Sequence, residues 1–272
     1  MLRPGLVVDV DSVPAEAVVV DTRLALTGET GHEKYDAGHI PGAAYLDVDD
    51  DLADPPGSGG RHPLPDRQRF TQGVRRAGIS RGSLVVVYDD GPGTAAARLW
   101  WLLRHYGHEA VLVLDGGLAA WQAAGRPMST EPVHPVAGDW EGSPGRLPLV
   151  DADGVPGVAR DGVLIDVRVA PRYRGELEPI DPVAGHIPGA VNAPLTEVTD
   201  ELGRFLPDDV LREKFASLGV RAGVPIAAYC GSGVTATQTL LALRLAGFDD
   251  AALYAGSWSG WITDATRPVA TG

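Results

Sequence analysis

Ile226-Ala227-Ala228-Tyr229-Cys230-Gly231-Ser232-Gly233-Val234-Thr235-Ala236 sets the only cysteine of the 272-residue chain between a short apolar run and a segment of helical periodicity. The run 226–229 reads as a buried strand, 235–246 as a helix, and the glycine-spaced residues between them as a tight turn. In such a turn the unpaired N–H groups of the loop and of the first helical turn can converge on one atom. Gly231 and Gly233 permit the backbone angles this requires. A sulfur at that focus is favoured as thiolate, the reactive form of cysteine. Residue type alone would make Cys230 an inert buried thiol; the glycines around it argue for an anion-holding turn.

The chain is internally duplicated. Ala37-Gly38-His39-Ile40-Pro41-Gly42-Ala43 recurs as Ala184-Gly185-His186-Ile187-Pro188-Gly189-Ala190, an offset of 184 − 37 = 147. Val20-Asp21-Thr22-Arg23 echoes Ile165-Asp166-Val167-Arg168, and Gly116 with Trp121 echoes Gly256 with Trp261. In the same alignment Val85-Val86-Val87-Tyr88-Asp89 falls on the strand that ends in the cysteine, so Asp89 takes the place of Cys230 in the first half.

Both halves read alike. In the first, strands are expected at 17–21, 84–88 and 111–114, with helices at 67–77, 94–106 and 118–124. In the second, strands fall at 163–166, 225–229 and 251–253, with helices at 207–218 and 235–246 and a last turn near Trp258. Short apolar strands alternating with helices predict an α/β fold with a largely parallel sheet in each half, and such sheets bind ligands beyond the carboxyl ends of their strands. The expected division is a first domain at 1–127, a Pro- and Gly-rich linker at 128–157 and a second domain at 158–272.

Composition narrows the function. The formal charge is 23 − 36 = −13, which disfavours nucleic acid or anionic membrane as partner, since both need a basic face. A single cysteine forbids an internal disulfide or a multi-thiolate metal site and suits a reducing compartment. Arg3, Asp9, Asp11 and Glu16 interrupt the N-terminal stretch, so no secretory segment is read there. No run reaches the ~18 apolar residues of a membrane helix. These features predict a soluble cytoplasmic protein.

The duplicated turn, Asp89 and the Cys-Gly-Ser-Gly-Val-Thr-Ala loop in equivalent places, and Gly256-Ser257-Trp258 together resemble the two-domain rhodanese and 3-mercaptopyruvate sulfurtransferase family, the thiosulfate sulfurtransferase-like proteins. The resemblance covers nearly the whole chain. It implies tandem rhodanese-like domains, the first inactive and the second catalytic. The implied reaction moves a sulfane sulfur from thiosulfate or 3-mercaptopyruvate onto Cys230 as a persulfide, then to a thiophilic acceptor such as cyanide or a thiol. No metal or organic cofactor is implied. In relatives of the mercaptopyruvate type, the histidine matching His39 and the serine matching Ser232 relay a proton. Arg172, with Gly231, Gly233, Val234 and Thr235, is implied to hold the anionic donor. A second arginine of that type is replaced here by Ile180, and the basic residues that follow the cysteine in thiosulfate-preferring relatives are replaced by Gly231 and Ser232. Both donors are therefore expected to react weakly, mercaptopyruvate somewhat better.

The residues themselves leave other readings. His39 and His186, present in both halves, suit a structural hydrogen bond, and Asp21 and Asp166 a loop brace. Trp100 and Trp101 suit a core or a domain interface. Arg61 and His62 read as surface charge with a smaller chance of reaching a cleft, and Arg172 could pair with Glu176 or Glu178. A cysteine phosphatase would use a similar turn but needs an arginine six residues after the cysteine, where this chain has Ala236. A catalytically idle binding or sensing module would not need the intact loop.

Overall fold

A computed structural model of the chain describes residues 5–25 and 28–272; Arg3, one of the charges that interrupt the N-terminal stretch, lies outside them. In chain order the elements are β1 Val7–Val8, β2 Val18–Asp21, α1 Gly31–Ala37, β3 Ala44–Tyr45, α2 Arg67–Arg76, β4 Val85–Tyr88, α3 Thr94–His105, β5 Val111–Leu114 and α4 Gly117–Ala123. They continue with α5 Val155–Asp161, β6 Val163–Asp166, α6 Ala170–Tyr173, β7 Val191–Asn192, α7 Asp208–Ser217, β8 Ile226–Tyr229, α8 Ala236–Leu245, β9 Ala252–Leu253 and α9 Ser257–Trp261. The strands form two parallel sheets, ordered β1-β5-β4-β2-β3 and β7-β6-β8-β9. This is the tandem α/β architecture that the alternating apolar runs predict. No helix of the described residues is long and apolar enough to cross a membrane.

The sequences of β4 and β8 explain their place inside the sheets. Val-Val-Val-Tyr and Ile-Ala-Ala-Tyr are buried at every position, as unbroken apolar runs must be when helices cover both faces. In the second sheet, Leu164, Ile187, Ala227, Tyr229, Tyr254, Trp258 and Trp261 pack into one core with Val155 of α5. Full burial of aliphatic chains such as Leu164 and Ile187 is worth roughly 1.5–3 kcal/mol each. Trp100 and Trp101 are likewise core residues of α3.

Two compact units make up the chain. One comprises Met1–Asp54, Leu64–Arg146 and Glu201–Phe205; the other comprises Pro55–Pro63, Leu147–Asp200 and Leu206–Gly272. The units depart from a division at 1–127, 128–157 and 158–272 in ways that matter. The segment read as a linker is not a free tether. Its first part carries Trp140, buried edge-on against Phe70. Its last part pairs Leu149 with Leu253 and contributes Val155 to the second core. More consequential is Pro55–Pro63, which precedes α2 in sequence yet folds with the cysteine-bearing unit.

The repeated His-Ile-Pro-Gly turn performs the same task in both units. His39 Nδ1 hydrogen-bonds the Tyr35 carbonyl at 2.9 Å and stacks on the Tyr35 ring; His186 Nδ1 does so with Tyr173 at 2.8 Å. The Ile40 and Ile187 amides donate to Tyr88 Oη and Tyr229 Oη, each at 3.1 Å. Asp21 and Asp166 hold Arg23 and Arg168, whose Nη2 atoms each reach the carbonyl of the glycine before the histidine at 2.7 Å. Each turn is thereby locked to the carboxyl end of the central strand of its sheet, where Asp89 or Cys230 begins the next loop.

Candidate active site

Cys230 follows β8 directly and is buried. Its Sγ accepts the Gly233 amide at 3.0 Å, closing the turn. Gly233 has φ 85°, and a Cβ there would lie 2.3 Å from the Ala255 carbonyl oxygen, so only glycine fits. Thr235 then takes the capping position of α8, and the Val234 carbonyl accepts from Thr237 Oγ1 at 2.6 Å. Behind the sulfur, the Cys230 amide donates to Ser257 Oγ at 3.1 Å, and the Trp258 and Ser259 amides donate to the carbonyls of Cys230 and Gly231 at 2.9 Å. Ser257, at φ 53°, is the one non-glycine residue with positive φ among the described residues. In the other unit Gly117 stands there, with Leu118 donating to Asp89 as Trp258 does to Cys230. Such strain is retained where surrounding contacts fix it, commonly beside functional groups.

The matching loop of the first unit shows what this turn can hold. Asp89 Oδ1 accepts the amides of Gly91 and Gly93, both at 3.0 Å, and Oδ2 those of Ala95 and Ala96 at 2.8 and 3.1 Å. Burial pushes the carboxyl above its usual range, opposed by the Ala96, Gly91 and Gly93 N–H groups. The first unit thus fills its cradle with its own carboxylate. Asp89→Ala would leave four amides, three of them buried, without that acceptor, at about 1–3 kcal/mol for each buried one left unsatisfied. We expect a clear fall in melting temperature with the rate of sulfur loading of Cys230, followed by intact mass, within a few-fold of wild type. Loss of loading in a folded Asp89→Ala protein would give the first unit a chemical role.

Around Cys230 the structure gathers residues that the sequence keeps apart. Arg172, on α6, chelates Glu178 through Nε and Nη2 at 3.0 and 2.7 Å, and its Nη2 also meets Asp181 at 3.0 Å. Arg61 donates to Ser259 Oγ through its amide at 3.0 Å and pairs with Asp181 through Nη1. Both guanidinium groups face the cysteine turn: a Cβ built on Gly231 would lie 2.9 Å from Arg61 Nη2 and 3.5 Å from Arg172 Nη1. Burial lowers the Arg61 pKa, and the neighbouring Arg172 adds to the effect while Cys230 and Glu178 oppose it. Arg61 also explains Gly231, since a long basic side chain at that position would occupy the space Arg61 takes.

The loop serine has a histidine partner, His62. His62 Nδ1 shares a hydrogen bond with Ser232 Oγ at 2.7 Å. The histidine that partners the loop serine is therefore His62, whereas His39 is engaged in the turn of the other unit. The structure brings Arg61 and His62 to the Cys230 loop, the smaller of the two chances in the sequence reading, and sets a second guanidinium there beside that of Arg172. Ile180 is exposed, and its amide donates to Glu178 at 3.2 Å. The arrangement offers a thiol on a backbone N–H, a histidine–serine pair for proton movement and two cations for an anion.

Comparison with known proteins finds the Rhodanese-like domain twice, at residues 10–124 and 156–264. A relative described as a probable 3-mercaptopyruvate sulfurtransferase from Pseudomonas aeruginosa is 48% identical over 94% of this chain and 93% of its own. A putative thiosulfate sulfurtransferase, SseB, from Mycobacterium tuberculosis is 42% identical over 93% of this chain and 90% of its own. Among solved structures, SseA from Escherichia coli, described with the 3-mercaptopyruvate enzymes, superposes with a TM-score of 0.81 at 33% identity, covering 93% of this chain and 98% of that one.

Proposed function

The chain belongs to the rhodanese family and is a sulfurtransferase, and from that premise we propose that it takes a sulfane sulfur from a small anionic donor as a Cys230 persulfide and passes it to a thiophilic acceptor. With 3-mercaptopyruvate, the Cys230 thiolate attacks the donor sulfur, and the carbon–sulfur electron pair leaves on carbon as the pyruvate enolate. The donor's thiol proton returns to that carbon, giving pyruvate and Cys–S–S⁻. With thiosulfate, the sulfur–sulfur bond breaks and sulfite leaves with the pair. The terminal sulfur is then attacked by cyanide or a thiolate, and the Cys230 thiolate is released. The observation that supports this reading best is the chain's only thiol, seated on the Gly233 amide and faced by Arg61 and Arg172. Backbone N–H groups stabilise charge on sulfur without bringing a competing nucleophile.

Intact mass after brief treatment with each donor tests the reading: the protein should gain one sulfur atom and lose it again on addition of cyanide. Arg172→Ala is expected to lower kcat/KM for both donors by roughly ten- to a hundredfold, mainly through KM, because a charge-assisted contact is worth about 1.5–3 kcal/mol. Unchanged constants for both donors in that variant would remove Arg172 from the donor site.

A further inference from the structure

Asp181 occupies the position between the two guanidinium groups. One carboxylate oxygen is bonded to Arg61 Nη1 and the other to Arg172 Nη2, and the side chain is only 4% exposed. That is a two-arginine grip on a carboxylate, and the protein's own side chain already fills it. The surrounding charges are paired as well. Glu178 meets Arg172 at 2.7 Å and Arg168 at 3.4 Å, and Arg168 closes on Asp166 at 2.6 Å. Three arginines, Arg61, Arg168 and Arg172, thus face three carboxylates, Asp166, Glu178 and Asp181, and the cluster's formal charge is zero. Arg61 Nη2 and Arg172 Nη1, nearest the Gly231 position, are not the nitrogens bonded to Asp181. They still present N–H groups toward the cysteine turn, since a guanidinium has five donors in a planar fork.

Resting on the persulfide reading above, we propose that Asp181 is a specificity-determining residue of the donor site: its carboxylate, spread across Arg61 and Arg172, sets a charge that accepts a monoanionic α-keto acid and disfavours a dianionic donor of the thiosulfate class. Both donors gain hydrogen bonds from the outward-facing guanidinium nitrogens. The second negative charge of a dianion finds no uncompensated cation in this cluster, and it approaches Asp181 and Glu178. At an effective dielectric of about 20, one unit of charge about ten ångströms away changes affinity about tenfold, and a nearer one changes it more. The preference is therefore built by a carboxylate behind the arginines, in addition to the absence of cations in the Cys230 loop.

The full-length protein tests this by comparing thiosulfate with 3-mercaptopyruvate. In Asp181→Asn, which keeps the shape and removes the charge, kcat/KM for thiosulfate relative to mercaptopyruvate should rise about tenfold, through KM. Asp181→Glu, which keeps the charge, should hold the wild-type ratio. Arg61→Gln moves the charge in the opposite direction and should lower the ratio, so the assignment can be read even where Asp181→Asn fails to fold. An unchanged ratio in Asp181→Asn, an equal rise in Asp181→Glu, or a rise in Arg61→Gln overturns the proposal. Protection of Cys230 from iodoacetamide by sulfate and by pyruvate gives a readout free of turnover: Asp181→Asn should tighten sulfate about tenfold relative to pyruvate, and equal protection constants in the two proteins overturn the proposal. Should neither donor load sulfur onto wild type, the persulfide reading fails, and the protection series still decides the charge assignment.

Discussion

Cys230→Ser is expected to reduce sulfur transfer from either donor to background while leaving the protein folded. The chain contains no other thiol, so nothing else can form a persulfide, and a serine oxygen does not carry sulfane sulfur. The substitution is nearly isosteric, and the new hydroxyl can accept the Gly233 amide that now reaches Sγ at 3.0 Å. The folding cost should thus stay within the usual range for a single buried substitution, about 0.5–3 kcal/mol. Wild type should gain one sulfur atom on donor treatment, and the variant none, with closely similar circular dichroism. Cyanide-dependent turnover in the variant at a rate near wild type would sink the persulfide mechanism outright.

The parts of this molecule legible in the sequence are those governed by local rules. The strand at 226–229 is visible because residues buried on both faces form an unbroken apolar run. The turn after it is visible because Gly233 answers a positive φ and a close backbone approach. The duplicated histidine turn is visible because seven residues repeat, and a histidine present in both halves when only one half carries the cysteine argues for bracing. Two further elements carry local signals of their own. Thr30 and Glu33 form a reciprocal capping box at the start of α1, a spacing readable in the sequence, and Pro156 in the first turn of α5 marks a helix start inside the stretch read as a linker.

Arg61 and His62 were illegible for a different reason. His62 meets Ser232 across 170 residues of sequence, and Arg61 meets Asp181 across 120. A surface-like segment, rich in glycine and proline, gives no local sign that its end folds into the other unit. Ser257 is similar, since its strained backbone follows from contacts around Cys230 and not from any propensity of serine. Local periodicity thus locates Cys230 and the sheet that presents it, whereas the arginines and the His62–Ser232 pair around it are assembled by tertiary structure.

His62→Ala should separate the two donors. With mercaptopyruvate, the leaving group is a carbon, and the proton on the donor thiol has to reach that carbon as pyruvate forms; with thiosulfate, sulfite departs as a stable dianion and no proton need move. The 2.7 Å hydrogen bond between His62 Nδ1 and Ser232 Oγ brings a titratable ring to the serine two residues after Cys230. A positioned general acid or base contributes about 10²–10⁴-fold. Removing it should therefore lower kcat for mercaptopyruvate by at least about a hundredfold, while thiosulfate loses only a few-fold. His62→Asn distinguishes proton transfer from packing, because the amide can bond Ser232 yet cannot shuttle a proton at neutral pH. It should restore KM and thermal stability without restoring kcat for mercaptopyruvate. Equal losses for both donors would reduce His62 to a brace for the Cys230 turn, and full mercaptopyruvate turnover in His62→Asn would remove it from the proton path.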